Sequence, residues 1–220
     1  MPKELQIPQE IDLAAFISKE AHDLKSPFNR ALGFIKLVLK GMDGPISEQA
    51  KQDLNIAYQN TLYTLAMMNG LVDMSRLERG ERIPSPKALP VEMVLRQVVI
   101  EWKRQYPKEN TVEVTFSGPD VAILADEMLV RQSFLKWASY VNEFVGEAAA
   151  VSIEYEEQPE TICFTVSSSG KKVPAPECDL TMHGFIATRL LALHNGELLR
   201  VEENDDGARV CFRLPKAPNP

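Results

Sequence analysis

The chain has 220 residues, 45% of them hydrophobic and 25% charged, the make-up of an ordinary folded protein with one large domain or two small ones. Its formal net charge of -7 would on average repel a phosphate backbone, so no nucleic acid is expected as a partner. No apolar run approaches the roughly 18–20 residues of a membrane-spanning helix. The opening MPKELQIPQEIDLAAF also lacks the basic and apolar regions of a signal peptide, so no membrane partner is expected. Cys163, Cys178 and Cys211 form an odd set without CxxC spacing. They suit neither a disulfide framework nor a metal site, and they fit a reducing, cytoplasmic location.

In chain order, the first 80 residues read as two long helices. Ile17, Ala21, Leu24, Phe28, Ala31, Ile35 and Val38 recur at alternating four- and three-residue steps. Leu54, Tyr58, Thr61, Leu65, Met68, Val72 and Ser75 do the same. This 3.5-residue period describes a seam made to pack against other helices. Gly41 and Gly44-Pro45 break the chain between the two segments, and Ser47 reads as the N-cap of the second, with Glu48 in its first turn. So short a connection predicts an antiparallel αα-hairpin. One hairpin cannot bury both flanks of its seam. Either the rest of the chain covers it or a second copy does, and the regularity of the seam favours a homodimer with a four-helix bundle.

Residues 82–90, RIPSPKALP, carry three prolines and read as a linker. Beyond it, Val91 to Trp102 is helical in pattern. Val112 to Phe116 alternates like a half-buried strand, closed by the turn Ser117-Gly118-Pro119-Asp120. Glu127 to Val145 is helical. Val151 to Tyr155 and Thr161 to Val166 look like paired strands, and Phe185 to His194 is a helix ended by Asn195-Gly196. Leu198 to Glu202 and Ala208 to Leu214 form a closing hairpin around Asn204-Asp205-Asp206-Gly207. The expected fold class is therefore α+β: a helical hairpin over residues 1–81, a linker over 82–90, and an α/β sandwich over 91–217.

One histidine stands out. His22 follows the seam residue Ala21, so it lies off the buried stripe and within reach of a partner. Neutral imidazole offers one nitrogen as a nucleophile while the other donates a hydrogen bond. Lys25 and Ser26, three and four residues on, share its helical face. The lysine can offset phosphoryl charge, and the serine can position an oxygen or a water. Asp23 is adjacent in sequence, about 100° around the helix, so its contact with the ring depends on rotamers. Pro27 leaves the carbonyl of Asp23 without its helical donor, and a kink is expected.

The run His22-Asp23-Leu24-Lys25-Ser26-Pro27 resembles the phosphoacceptor motif of sensor histidine kinases. The turn Gly41 to Ser47 and the helix end Asp73 to Gly80 are similar to that family too, so the resemblance spans most of residues 14 to 80. It implies His22 as phosphoacceptor, Asp23 as its acid/base partner, and receiver domains of response regulators as partners. Asp23-x-x-Ser26 also resembles the family's phosphatase spacing, with serine where threonine or asparagine is more usual.

The second half resembles the family's ATP-binding domain in outline only. Ala125 to Leu135 looks like the start of its main nucleotide-site helix. Where that helix carries two asparagines, the second for magnesium, this chain has Lys136 and Tyr140, with Asn142 on a different face. Where an Asp-x-Gly-x-Gly motif reads adenine, Ser168 takes the place of the aspartate and Lys172 that of a glycine. The last glycine-rich motif reduces to Thr181-Met182-His183-Gly184-Phe185, and only about seven residues precede that helix after Pro174, too few for an ATP lid. His194, where the family often has a histidine, reads as structural. The resemblance thus implies a histidine phosphotransfer protein of a two-component phosphorelay, carrying a degenerate ATPase domain and no cofactor. A non-catalytic dimeric scaffold and an ATP-dependent sensor histidine kinase are the alternatives.

Overall fold

The computed structural model describes residues 12–42, 44–105, 113–145, 150–170, 182–204 and 207–218. The chain divides into two compact units, Met1–Glu81 and Arg82–Pro220.

The first unit is a pair of helices, α1 (Leu13–Leu39) and α2 (Glu48–Glu78). Each begins on a side-chain cap. Asp12 accepts from Ala15 N at 3.0 Å, and Ser47 accepts from Ala50 N at 3.1 Å. The turn between them holds Gly41 at φ +74° and Gly44 at φ +103°, backbone that L side chains rarely adopt. Helix α1 continues through Pro27. Inside the hairpin Ala21, Met68 and Val72 are buried, with Phe28 and Leu65 packed against them. Ser75 is buried too and donates to Ala14 O, tying the open end of the pair together. Of the other expected seam positions, Leu24 is 48% exposed and Ala31 is exposed, while Ile17, Ile35, Val38, Leu54, Tyr58 and Thr61 are half-buried; off the seam, Phe34, Leu37, Ile56 and Leu62 are exposed as well.

The second unit is a five-stranded sheet with helices on one face. Its elements are β1 (Lys87–Pro90), α3 (Val91–Gln105), β2 (Glu113–Ser117), β3 (Ala122–Ala125), α4 (Glu127–Asn142), β4 (Ala150–Glu157), β5 (Thr161–Ser169), α5 (Met182–Leu193), β6 (Glu197–Asn204) and β7 (Gly207–Pro215). Strand order in the large sheet is β2-β4-β5-β7-β6, parallel only between β2 and β4. A parallel pair needs a crossover, and α4 lies on that connection. Residues of β5 alternate strictly, with Ile162, Phe164, Val166 and Ser168 facing inward. Phe164 stacks on Phe212 at 5.4 Å and meets Phe134 of α4 edge-on at 5.0 Å. Trp137 stacks on Phe212 from the helix side at 5.9 Å. Such contacts add about 0.5–1.5 kcal/mol each beyond the burial of area.

Two sequence expectations need correction. Residues 82–90 are not linker throughout, because Lys87–Pro90 pairs antiparallel with Ala122–Ala125 and buries Leu89. Pro90 sits at the last position of that strand, where a missing N–H is tolerated. The helix expected over Glu127 to Val145 ends at Asn142, and Glu143 is its C-cap. Its start is set by Asp126, whose carboxylate accepts from Met128 N and Leu129 N at 3.0 Å and from Ser85 N at 3.0 Å. Burial raises the Asp126 carboxyl, but those backbone donors outweigh it and hold it below the usual carboxylate range.

Candidate functional site

Helix α1 presents His22 to solvent, its side chain 82% exposed. Nδ1 of the ring lies 3.4 Å from Oδ1 of Asp23. That is a loose contact in which Nδ1–H can only donate, since the carboxylate accepts. In the neutral tautomer protonated at Nδ1, the lone pair is on Nε2. Of the four site residues read from sequence, His22, Lys25 and Ser26 line one open groove of about 530 Å³, and Asp23 stands beside the ring without lining it. Asn29 and Arg30 complete the groove, and the sequence reading did not include them. The signal was available: positions 22, 25, 26, 29 and 30 fall on one helical face. Arg30 Nη1 donates to Ser26 Oγ at 3.2 Å.

In the second unit, Ser168 is buried at the inner end of β5. Its hydroxyl oxygen accepts from Ala208 N at 3.1 Å and lies 3.5 Å from Ala208 O. Ser168 thus spends its polar group on the neighbouring strand. The fit is tight, because Gly207 has φ +145° and any Cβ there would lie 2.4 Å from Ser168 O. Tyr140 is buried, its ring edge-on to Trp137 at 5.9 Å and to Phe144 at 5.3 Å. Lys136 and Asn142 are half-buried on the same helix. Ser133 donates to Ala187 O at 3.3 Å, joining α4 to α5 directly. Lys172, Pro174, Cys178 and Thr181, named from sequence, lie outside the described residues. Among the described residues no cluster of three or more His, Cys, Asp or Glu side chains is placed to hold a metal ion.

His183, at the start of α5, has Nε2 3.7 Å from Oε1 of Glu143. Burial pushes the ring down to about 4, and the charge of Lys136 adds to this; the Glu143 carboxylate does not offset it. The neutral ring is therefore stabilising above the unfolded value near 6.5, and that stability is lost as pH falls toward 4. With the side chain 31% exposed, the loss is about 1–3 kcal/mol. Urea midpoints followed from pH 7 to pH 4 should fall more in the unmodified protein than in His183→Gln. Equal slopes would contradict this. His194 is a buried ring whose Nδ1 donates to Leu190 O at 2.7 Å, a structural role, and burial lowers its pKa as well.

No protein-family profile matches the chain. Curated relatives do. The non-motile and phage-resistance protein of Caulobacter vibrioides is 24% identical over 228 residues, covering 91% of this chain and 27% of the relative. The cell-division control histidine kinase PdhS of Brucella canis is 26% identical over 206 residues, covering 92% and 20%. The sensor protein KdpD of Clostridium acetobutylicum is 19% identical over 233 residues, covering 97% and 26%. The chain thus spans about a quarter of the length of the curated relatives it matches. Among solved structures, full-length ShkA in complex with AMPPNP superposes with a TM-score of 0.65 at 23% identity, covering 94% of this chain and 46% of that one. Histidine kinase ThkA in complex with the response regulator protein TrrA gives 0.60 at 18% identity, covering 96% and 69%. Its catalytic domain alone gives 0.51 at 19% identity, covering 61% and 99%. No helix among the described residues is long and apolar enough to cross a membrane. The relatives and structural neighbours of this chain include sensor histidine kinases, and its second unit has the mixed helix-and-sheet fold of the histidine-kinase catalytic domain.

Proposed function

We propose that the chain is a histidine phosphotransfer protein of a two-component phosphorelay, passing a phosphoryl group through His22 between receiver-domain aspartates without binding ATP. Residues 1–81 serve as dimerisation and phosphoacceptor hairpin, paired with a second copy as a four-helix bundle. The remainder is a degenerate ATPase-like domain. The free thiols Cys163 and Cys211 suit a cytoplasmic setting.

The observation that carries this reading is a contrast between the two units. The first keeps His22 exposed with Asp23 at its Nδ1 and Lys25 and Ser26 in the same groove. In the second, Ser168 and Tyr140 are committed to the interior at the positions that would read adenine and hold magnesium. In the transfer, the P–O bond to the receiver aspartate breaks and its electron pair returns to that carboxylate. The Nε2 lone pair of His22 forms the new N–P bond. The Nδ1 proton stays on the ring, and Asp23 offsets the positive charge that develops there. The neighbour ThkA, solved with a response regulator, supports a receiver as the partner.

Radiolabelled ATP alone, then phosphorylated receivers, separate the alternatives. Label only from a receiver is expected. Label from ATP would mean a kinase, and none at all a scaffold. ATP-Mg at millimolar concentration should likewise leave the melting temperature unchanged. A ligand at 100 times its dissociation constant stabilises by about 2.7 kcal/mol, a shift of several degrees in a domain of this size. Such a shift would contradict the assignment of Ser168 and Tyr140.

A further inference from the structure

We propose that Arg30 binds the transferring phosphoryl group in the His22 groove. This rests on the reading of His22 as acceptor and adds a residue to it. Arg30 lies eight residues along α1 from His22, about 12 Å of helical rise, too far if its side chain stood straight out. Helical side chains lean toward the N-terminus, however, and here the guanidinium reaches back one turn to donate to Ser26 Oγ at 3.2 Å. That places its charge in the groove that His22, Lys25, Ser26 and Asn29 line.

Two further facts point to an anion. Among the described residues neither Arg30 nor Lys25 has a carboxylate within ion-pair distance, although the chain as a whole carries a net charge of -7. The groove therefore holds two uncompensated cations beside a nucleophile. Arg30 also keeps four of its five N–H donors after the bond to Ser26, in a planar fork that suits the oxygens of a phosphoryl group. Because Ser26 Oγ accepts from Arg30, its own O–H is free to donate to the same oxygens. Lys25 brings a point charge, and Arg30 brings direction.

The bond changes are those of the transfer itself. The donor's bond to phosphorus breaks, its electron pair leaves with the donor, and the N–P bond forms at His22. Arg30 exchanges no proton and steadies the charge on the phosphoryl oxygens throughout.

The test uses the full chain and two donors, a phosphorylated receiver and phosphoramidate, from which ammonia leaves. Phosphoramidate needs no protein docking. Arg30 is exposed and glutamine is nearly as good a helix former, so Arg30→Gln should keep its helical circular dichroism. It should label about tenfold more slowly from both donors, and Arg30→Lys should recover part of the rate. A normal rate from both donors would overturn the proposal. So would a slow rate from the receiver alone, which would make Arg30 a docking residue. His22→Gln is run beside them. Full labelling of that variant would overturn the His22 reading itself and Arg30's role with it, an outcome distinct from a failure at Arg30 alone.

Discussion

His22→Gln should abolish phosphotransfer and leave the fold intact. The ring is 82% exposed, and among the described residues its polar contact is to Asp23 at 3.4 Å, so its loss removes little packing. Surface exchanges of this kind usually change stability by less than about 0.5 kcal/mol. Glutamine retains an amide donor and much of the bulk but has no nucleophilic nitrogen. A rate with no acceptor is zero at any concentration of receiver. Lys25→Ala is a graded counterpart: it removes a partly exposed charge from the groove and should slow transfer without stopping it. Label on the protein after exposure to a phosphorylated receiver, beside circular dichroism, measures both. A His22→Gln protein that unfolds would contradict the exposed position of the ring.

Leu65→Asp should dissociate the dimer and loosen the hairpin. Leu65 packs on the buried trio Ala21, Met68 and Val72. Removing that half-buried leucine forfeits about 1–2 kcal/mol of apolar transfer. Placing a carboxylate there adds a desolvation cost of several kcal/mol unless water enters. The dimer itself is expected because the heptad seam repeats along both helices while one copy leaves Phe16, Leu24, Phe34, Leu37 and Ile56 exposed, apolar surface that a second copy would cover. Light scattering at micromolar concentration should give twice the chain mass for the unmodified protein and less for Leu65→Asp. A monomer in the unmodified protein would remove the bundle from the account.

The helices were legible because period and caps agreed. Heptad spacing marked both helices, and Ser47 is the N-cap its position suggested. Alternation marked β5 and β7 equally well, since each has one face on the core and the other in water. What escaped is what needs a third dimension. The prolines of RIPSPKALP argued for a linker, yet Leu89 finds the core and Lys87–Pro90 finds a partner strand thirty-odd residues away, which outweighs local propensity. Ala122–Ala125 is too short for its alternation to speak. Leu24 sits on the heptad pattern and is half exposed, a position that the proposed second copy would cover. At the site, the spacing of Lys25 and Ser26 from His22 is a property of one helix and could be read. That Arg30 turns back onto Ser26, that Ser168 closes on Ala208, and that His183 meets Glu143 are rotamer and tertiary facts.

The most direct test of the central claim is the chemical form of the modified residue. The unmodified protein should be mixed with a phosphorylated receiver, kept at neutral or alkaline pH, digested, and examined by mass spectrometry with fragmentation. The account predicts one added phosphoryl group on His22, lost on brief exposure to acid as an N–P bond is. A phosphoryl group found on Ser26, Asp23 or His183, or an acid-stable one anywhere, with His22 unmodified, would contradict it.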